Sequence, residues 1–210
     1  MIKPQKMKSI FTSITILALL LISCENSSSN SKSEESDKKT QLEKQSFKKD
    51  KKLLNRKAFE ENLEAFNSCK INKTGNGKCK KYLAKAVCEY YDINDLKEGN
   101  DYIAYDEIPE KLKELESWEN IGAFNEKNLL SALDYLNNSE KPVLIYNKDD
   151  SYVHVVALKP NGKLFKSGKW GNISVPSCVS YFTKRKDSFT EKGINYAFKA
   201  ANNLTIWVKK

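Results

Sequence analysis

Apolar and polar positions divide the chain into three regimes. Ile10 to Ile22 is a short, mostly apolar stretch of about a dozen residues behind Lys3, Lys6 and Lys8, too short for an ordinary spanning helix and of the length of a secretory h-region. Residues 25 to 52 hold hardly any apolar side chain. From residue 53 onward the apolar positions become periodic. Leu54, Ala58, Phe59, Leu63 and Phe66 recur at helical spacing, so residues 54 to 67 are expected to form a helix. Cys79 to Tyr91 carries Leu83, Ala86, Val87 and Tyr90 on one stripe and is the most regular helix in the pattern. Ile108-Pro109 opens a short helix through Leu112 and Leu115, because proline suits the first helical position. Asn125 can cap a further helix bearing Leu129, Leu130, Leu133 and Leu136.

The period then changes. Pro142 to Tyr146 and Tyr152 to Leu158 read as strands, Pro160-Asn161-Gly162 as a turn, and Lys163 to Lys166 as a strand pairing back after it. Val179 to Phe182, Ile194 to Lys199 and Thr205 to Val208 are further strand candidates, with Asn202-Asn203 as a turn. Helices first and an antiparallel sheet afterwards make the fold class α+β. No internal repeat is present.

Charge and composition narrow the function classes. The 210 residues carry 36 Lys and Arg against 27 Asp and Glu, and 40% are hydrophobic, enough for one core and too few for a multi-span membrane protein. The run Leu21-Ile22-Ser23-Cys24 that ends the apolar stretch resembles the lipobox of bacterial lipoproteins. The resemblance implies a signal peptide over 1–23, cleavage before Cys24, and acylation of the Cys24 thiol and new amine, palmitate included. Two or three buried chains would hold the protein on a lipid bilayer, where one would be marginal. Residues 24–52 then form a lipidated cysteine and polar tether, unable to bury enough surface to offset its ordering entropy. Residues 53–210 form one domain of ordinary size. Its basic residues are interspersed with acids, as in Lys184 to Asp187, where a nucleic-acid surface would segregate a basic stripe, so no nucleic-acid partner is expected. The surface suits solubility or attraction to anionic envelope polymer.

One histidine in the chain excludes His-cluster metal sites and His–His acid/base pairs, so imidazole chemistry has to run through His154. Cys79 stands at an expected helix start beside Lys78, Lys80 and Lys81, and both the helix end and the cationic field favour thiolate. His154 lies in Tyr152-Val153-His154-Val155-Val156, where alternation puts Tyr152, His154, Val156 and Leu158 on one face. A histidine in a strand is, taken alone, more often a satisfied core residue than a catalyst.

Taken together, the order of segments resembles the papain-fold cysteine peptidases, and most closely the bacteriocin-leader-peptidase-like group. Cys79-Lys80-Lys81 runs to Tyr90-Tyr91-Asp92-Ile93, followed by Asn128 to Leu136, Lys141-Pro142-Val143-Leu144-Ile145, His154-Val155-Val156-Ala157-Leu158, Asn161-Gly162 and Leu164-Phe165. The resemblance implies a papain-like fold with N-terminal helices packed on the sheet, Cys79 as nucleophile and His154 as general base and acid. It implies hydrolysis of peptide or isopeptide bonds in the cell envelope by a thiol protease or amidase, without cofactor or metal. The Cys79 N–H would be one oxyanion donor, with Asn72 or Asn76 as a side-chain substitute. The third catalytic member falls on Ser167, or on Asn172 a few residues further. Three departures stand against this: Lys80-Lys81 replaces Gly-Pro, no glutamine stands in the several residues before Cys79, and Ser167 stands where an acid is usual. A catalytically inactive papain-like or disulfide-stapled binding lipoprotein with a protein partner is therefore the alternative.

Cys69, Cys79, Cys88 and Cys178 remain after Cys24, an even number for an oxidising compartment. Cys79 and Cys88, nine positions apart, face opposite sides of one straight helix and cannot bond there. Cys69–Cys79 with Cys88–Cys178 would abolish the nucleophile; Cys69–Cys88 or Cys88–Cys178 alone would leave it free. A zinc site lacks the usual Cys-x-x-Cys pair. Asp149-Asp150 reads as a hairpin-loop pair, since two adjacent carboxylates make no metal cage.

Overall fold

The structure is a computed structural model and describes residues 55–72, 77–147 and 152–210. The expected signal peptide, lipobox Cys24 and tether lie outside the described residues, as do Asn76 and Asp149-Asp150. Five α-helices and nine strands are described: α1 (Ala58–Ile71), α2 (Tyr82–Tyr91), β1 (Lys97–Glu98), β2 (Asp101–Tyr102), α3 (Ile108–Glu114), β3 (Trp118–Ala123), α4 (Glu126–Ser139), β4 (Val143–Asn147), β5 (Val155–Leu158), β6 (Leu164–Ser167), β7 (Ile173–Ser180), β8 (Phe189–Gly193), α5 (Ile194–Ala197) and β9 (Leu204–Lys209). None of these helices is long and apolar enough to cross a membrane.

β1 and β2 form a small hairpin, and the other seven strands form one antiparallel sheet in the order β3-β9-β4-β5-β7-β6, with β8 also on β7. The α+β class holds. Strand alternation sends the sheet's side chains to two separate cores. Leu144, Tyr146, Val155, Ala157, Val179, Tyr181 and Trp207 face one layer, where they meet Phe59 and Phe66 of α1, Leu83 and Val87 of α2, and Ile108 and Leu112 of α3. Val143, Ile145, Val156, Leu158, Cys178, Phe182 and Ile206 face the other, against Leu129, Leu133 and Leu136 of α4 and Ile194 of α5. Helices thus cover both faces of the sheet, and β4 and β5 read as near-continuous apolar runs because both of their faces are buried. Fully burying Leu129 and Leu136 contributes about 2 kcal/mol each to holding α4 on the sheet.

α4 starts where its cap places it: the Asn125 Oδ1 accepts the Asn128 N–H at 2.8 Å. Cys79 does not belong to α2. A 3₁₀ turn, Lys78–Lys81, precedes the helix, which begins only at Tyr82.

Two strand expectations need correction. β6 does not pair back on β5; it pairs with β7, Leu164 opposite Pro176 and Ser167 opposite Ile173. Lys159 N–H donates to the Ser177 carbonyl and Ser177 N–H to the Lys163 carbonyl, so β5, the turn at 160–162 and β6 run along one edge of β7. Ile194 to Lys199 is not a strand: its first four residues are the turn of helix α5. β3 and β8 carried no expectation, and both are strands.

Candidate functional site

Cys79 is bonded to Cys69. The disulfide spans 10 positions and ties the last turn of α1 to the 3₁₀ turn before α2. A sulfur in a disulfide is not a thiolate, so the expected nucleophile is absent from this state of the protein. The cationic field invoked for it is also committed elsewhere. The Lys80 ammonium pairs with Asp106 at 2.5 Å, and Lys81 pairs with Asp101. The hydrogen bond to Asp106 raises the Lys80 pKa. Cys88 and Cys178 are free thiols, both buried. They cannot meet, because Cys88 belongs to the core under α1 and α2 and Cys178 to the core under α4. Burial pushes the Cys88 pKa up to about 11 and that of Cys178 higher still, so neither is a poised nucleophile.

His154 precedes β5 by one residue and is buried. Its backbone N–H donates to the Asn147 Oδ1 at 2.6 Å. Its Nε2 lies 2.8 Å from the Ser180 hydroxyl. The ring is stacked between Tyr152 and Phe182, at centroid distances of 5.9 and 4.5 Å, with the edges of Phe198 and Tyr105 completing the enclosure. This burial, reinforced by the nearby Arg185 charge, drives the His154 pKa down from 6.5 to about 3. The imidazole is neutral near neutrality and far from the pKa that a general base needs.

The two halves of the expected pair have different surroundings. Phe182 and Phe198, in contact with the His154 ring, belong to the core of α4 and α5, whereas Cys79 packs in the core of α1, α2 and α3. Tyr105 is the link between them. Its N–H donates to the Lys80 carbonyl at 3.0 Å, and its ring edge reaches the imidazole.

Ser167 does not orient His154. It pairs with Ile173, the first residue of β7, while His154 bonds Ser180, the last. The Ser167 hydroxyl is buried and has no hydrogen-bond partner. Asn172 is in the left-handed region at φ 61° and closes the turn by donating its N–H to the Ser167 carbonyl. Asn72 caps the end of α1 through its backbone. Ser180, which the sequence pattern does not single out, falls inside the expected strand Val179 to Phe182. Its place two residues before Phe182 on the His154 face was the available signal.

Described residues line two clefts of similar volume. One, of about 480 Å³, lies among the C-terminal ends of α2 and α4 and the turn after β5, with Tyr90, Tyr91, Asn137 and Asn161 in its wall. The other, of about 460 Å³, sits over the His154 enclosure, where Tyr152 and Phe198 both line the cleft and touch the imidazole. Loops from four adjacent strands meet there: the end of β4, the start of β5, the segment after β7 and the segment before β9. Among the described residues no cluster of three or more His, Cys, Asp or Glu is arranged to hold a metal ion.

No protein-family model, curated protein or solved structure matches the chain.

Proposed function

We propose that this chain is a lipid-anchored, disulfide-stapled binding protein of the bacterial cell envelope. The observation that carries the reading is the Cys69–Cys79 disulfide, which consumes the one cysteine placed to act with a histidine. The neutral, enclosed His154 supports it. A disulfide also belongs to an oxidising compartment, in keeping with the export signal and with lipid attachment at Cys24 on a periplasmic or surface face. On this reading the papain-like order of segments is a scaffold from which the catalytic pair has been lost. The three sequence departures around Cys79 and Ser167 fall into line with that loss. The partner is a cell-wall component or a protein, bound and not cleaved.

The test is turnover of envelope peptides and isopeptides by the exported protein, oxidised and after reduction, beside a Cys79→Ala variant. Disulfide mapping of the same sample should return the Cys69–Cys79 peptide, with no hydrolysis in any state. Hydrolysis that appears on reduction and vanishes in Cys79→Ala would overturn the reading in favour of a cysteine peptidase. A Cys24→Ala variant that stayed in the membrane fraction would remove the lipid anchor.

A further inference from the structure

The cleft above His154 has an unbalanced lining. Its charged residues are Lys184, Arg185 and Lys199, and no Asp or Glu stands among the residues that line it. Elsewhere the described domain pairs its lysines with carboxylates, as in Lys80–Asp106, Lys159–Glu60 and Lys209–Asp95. Lys184, Arg185 and Lys199 have no such partner among the described residues.

Arg185 is also held in place. Its guanidinium lies 4.7 Å from the centroid of the Phe182 ring and donates to the Tyr196 carbonyl at 3.2 Å. Its own carbonyl accepts the Lys70 ammonium at 2.6 Å. A guanidinium anchored on one side, with donors left over, is preorganised for an oxyanion, because less side-chain entropy is lost when the ligand arrives. Asn202 and Asn203 in the same wall add neutral amide groups, and Tyr152 adds an aromatic surface that is 40% exposed. Nearby, the Lys169 ammonium donates to the Phe198 carbonyl at 2.8 Å, and its pKa is lowered by burial and then by the Arg185 charge.

We propose that this cleft binds a small ligand through an oxyanion, carboxylate or phosphate, with Arg185 as the principal contact and Lys184 and Lys199 flanking it. The proposal deepens the binding reading above and rests on it. His154 is a floor for the site: it touches Tyr152 and Phe198 from below and is not itself a ligand contact.

That floor supplies a single-residue reporter, since the chain has one histidine. The imidazole resonances of the isotope-labelled full-length protein in detergent micelles should be followed at pH 7 during titration with inorganic phosphate and, separately, with acetate, at constant ionic strength set by chloride. Saturable displacement is expected with at least one of the two, and the arm that saturates names the chemistry. Arg185→Gln should weaken that binding about tenfold or more, while Lys163→Gln, outside the cleft, should leave it unchanged. Should Arg185→Gln fail to fold, the Lys184→Gln/Lys199→Gln double variant serves the same purpose. Linear, non-saturating shifts with both anions, or equal affinity in the folded cleft variants, would overturn the proposal. Such a failure with no peptide turnover would leave the binding reading intact and remove this cleft from it. Cys79-dependent turnover would remove the reading itself.

Discussion

The His154 Nε2 lies 2.8 Å from the Ser180 hydroxyl, while the Cys79 sulfur is bonded to Cys69 in the core of α1, α2 and α3. Each residue has a complete structural explanation without the other. The cysteine staples two helices, and the histidine fills an aromatic enclosure at the end of the sheet.

The staple closes a short loop, so its loss acts mainly by freeing the unfolded chain. A Cys69→Ala/Cys79→Ala double variant should lose about 2–3 kcal/mol, measured by urea unfolding against the oxidised protein. In the native oxidised protein, Cys88 and Cys178 should resist alkylation at pH 8, because both are buried and burial raises both pKa values. A thiol count of zero before denaturation and two in the denatured, unreduced domain is the expected result. Rapid labelling of either thiol in the native state would contradict the burial.

Gly162 permits the turn that carries the chain from β5 to β6. A Cβ there would stand 1.8 Å from the Ser177 hydroxyl and 3.0 Å from the Lys159 carbonyl. The Ser177 hydroxyl is buried on a residue whose backbone N–H and carbonyl hold both segments on β7, and the Lys159 carbonyl accepts the Gly162 N–H, so neither can retreat freely. Gly162→Ala should therefore destabilise by about 1–3 kcal/mol, read as a lowered urea midpoint with unchanged slope.

The elements that could be read from the sequence are those whose local chemistry and tertiary role agree. Asn125 caps α4 as its position demanded, and the Pro160-Asn161-Gly162 turn forms because its residues suit it. Ile194 to Lys199 misled because Ile194, Tyr196 and Phe198 alternate like a strand face. In the fold Tyr196 is 59% exposed, while Ile194 and Ala197, three apart, are the buried pair of a helical turn. β3 was hidden because most of Glu119 to Ala123 is not buried and the strand carries a register shift between Asn120 and Gly122. The cysteine pairing was illegible for a different reason. It depends on α2 starting at Tyr82, which puts Cys79 in a separate turn within reach of Cys69, and helix starts are the least constrained feature of an apolar pattern. The surroundings of His154 were half legible: alternation grouped it with Val156 and Leu158, but nothing in the sequence told which helices would cover that face.

Ser180 and Ser167 make a paired test of which residue positions His154. Ser180→Ala removes the hydroxyl beside Nε2 and leaves a buried ring nitrogen without that partner, which should cost about 1–3 kcal/mol. Ser167→Ala removes a buried hydroxyl that has no partner, so it should be neutral or slightly stabilising. The imidazole resonances should move in the first variant and stay in place in the second. The reverse outcome would restore Ser167 as the residue that orients the ring.

His154 also gives the domain a defined response to acid. Its folded pKa of about 3 lies below the ordinary 6.5, so between these values the unfolded chain binds a proton that the native protein refuses. Stability therefore falls as pH drops through that window, by up to about 1.4 kcal/mol per pH unit from this residue, and the contribution is fully present above pH 6.5. At pH 4.5 the loss from His154 should approach ~3 kcal/mol relative to pH 7. A His154→Phe variant forfeits the bond to Ser180 at every pH, yet should show a flatter dependence than the parent between pH 4.5 and 7. Urea unfolding of both proteins across that range measures the difference in slope. Parallel curves would mean that the imidazole is protonated in the native state and that the aromatic enclosure does not exclude its charge.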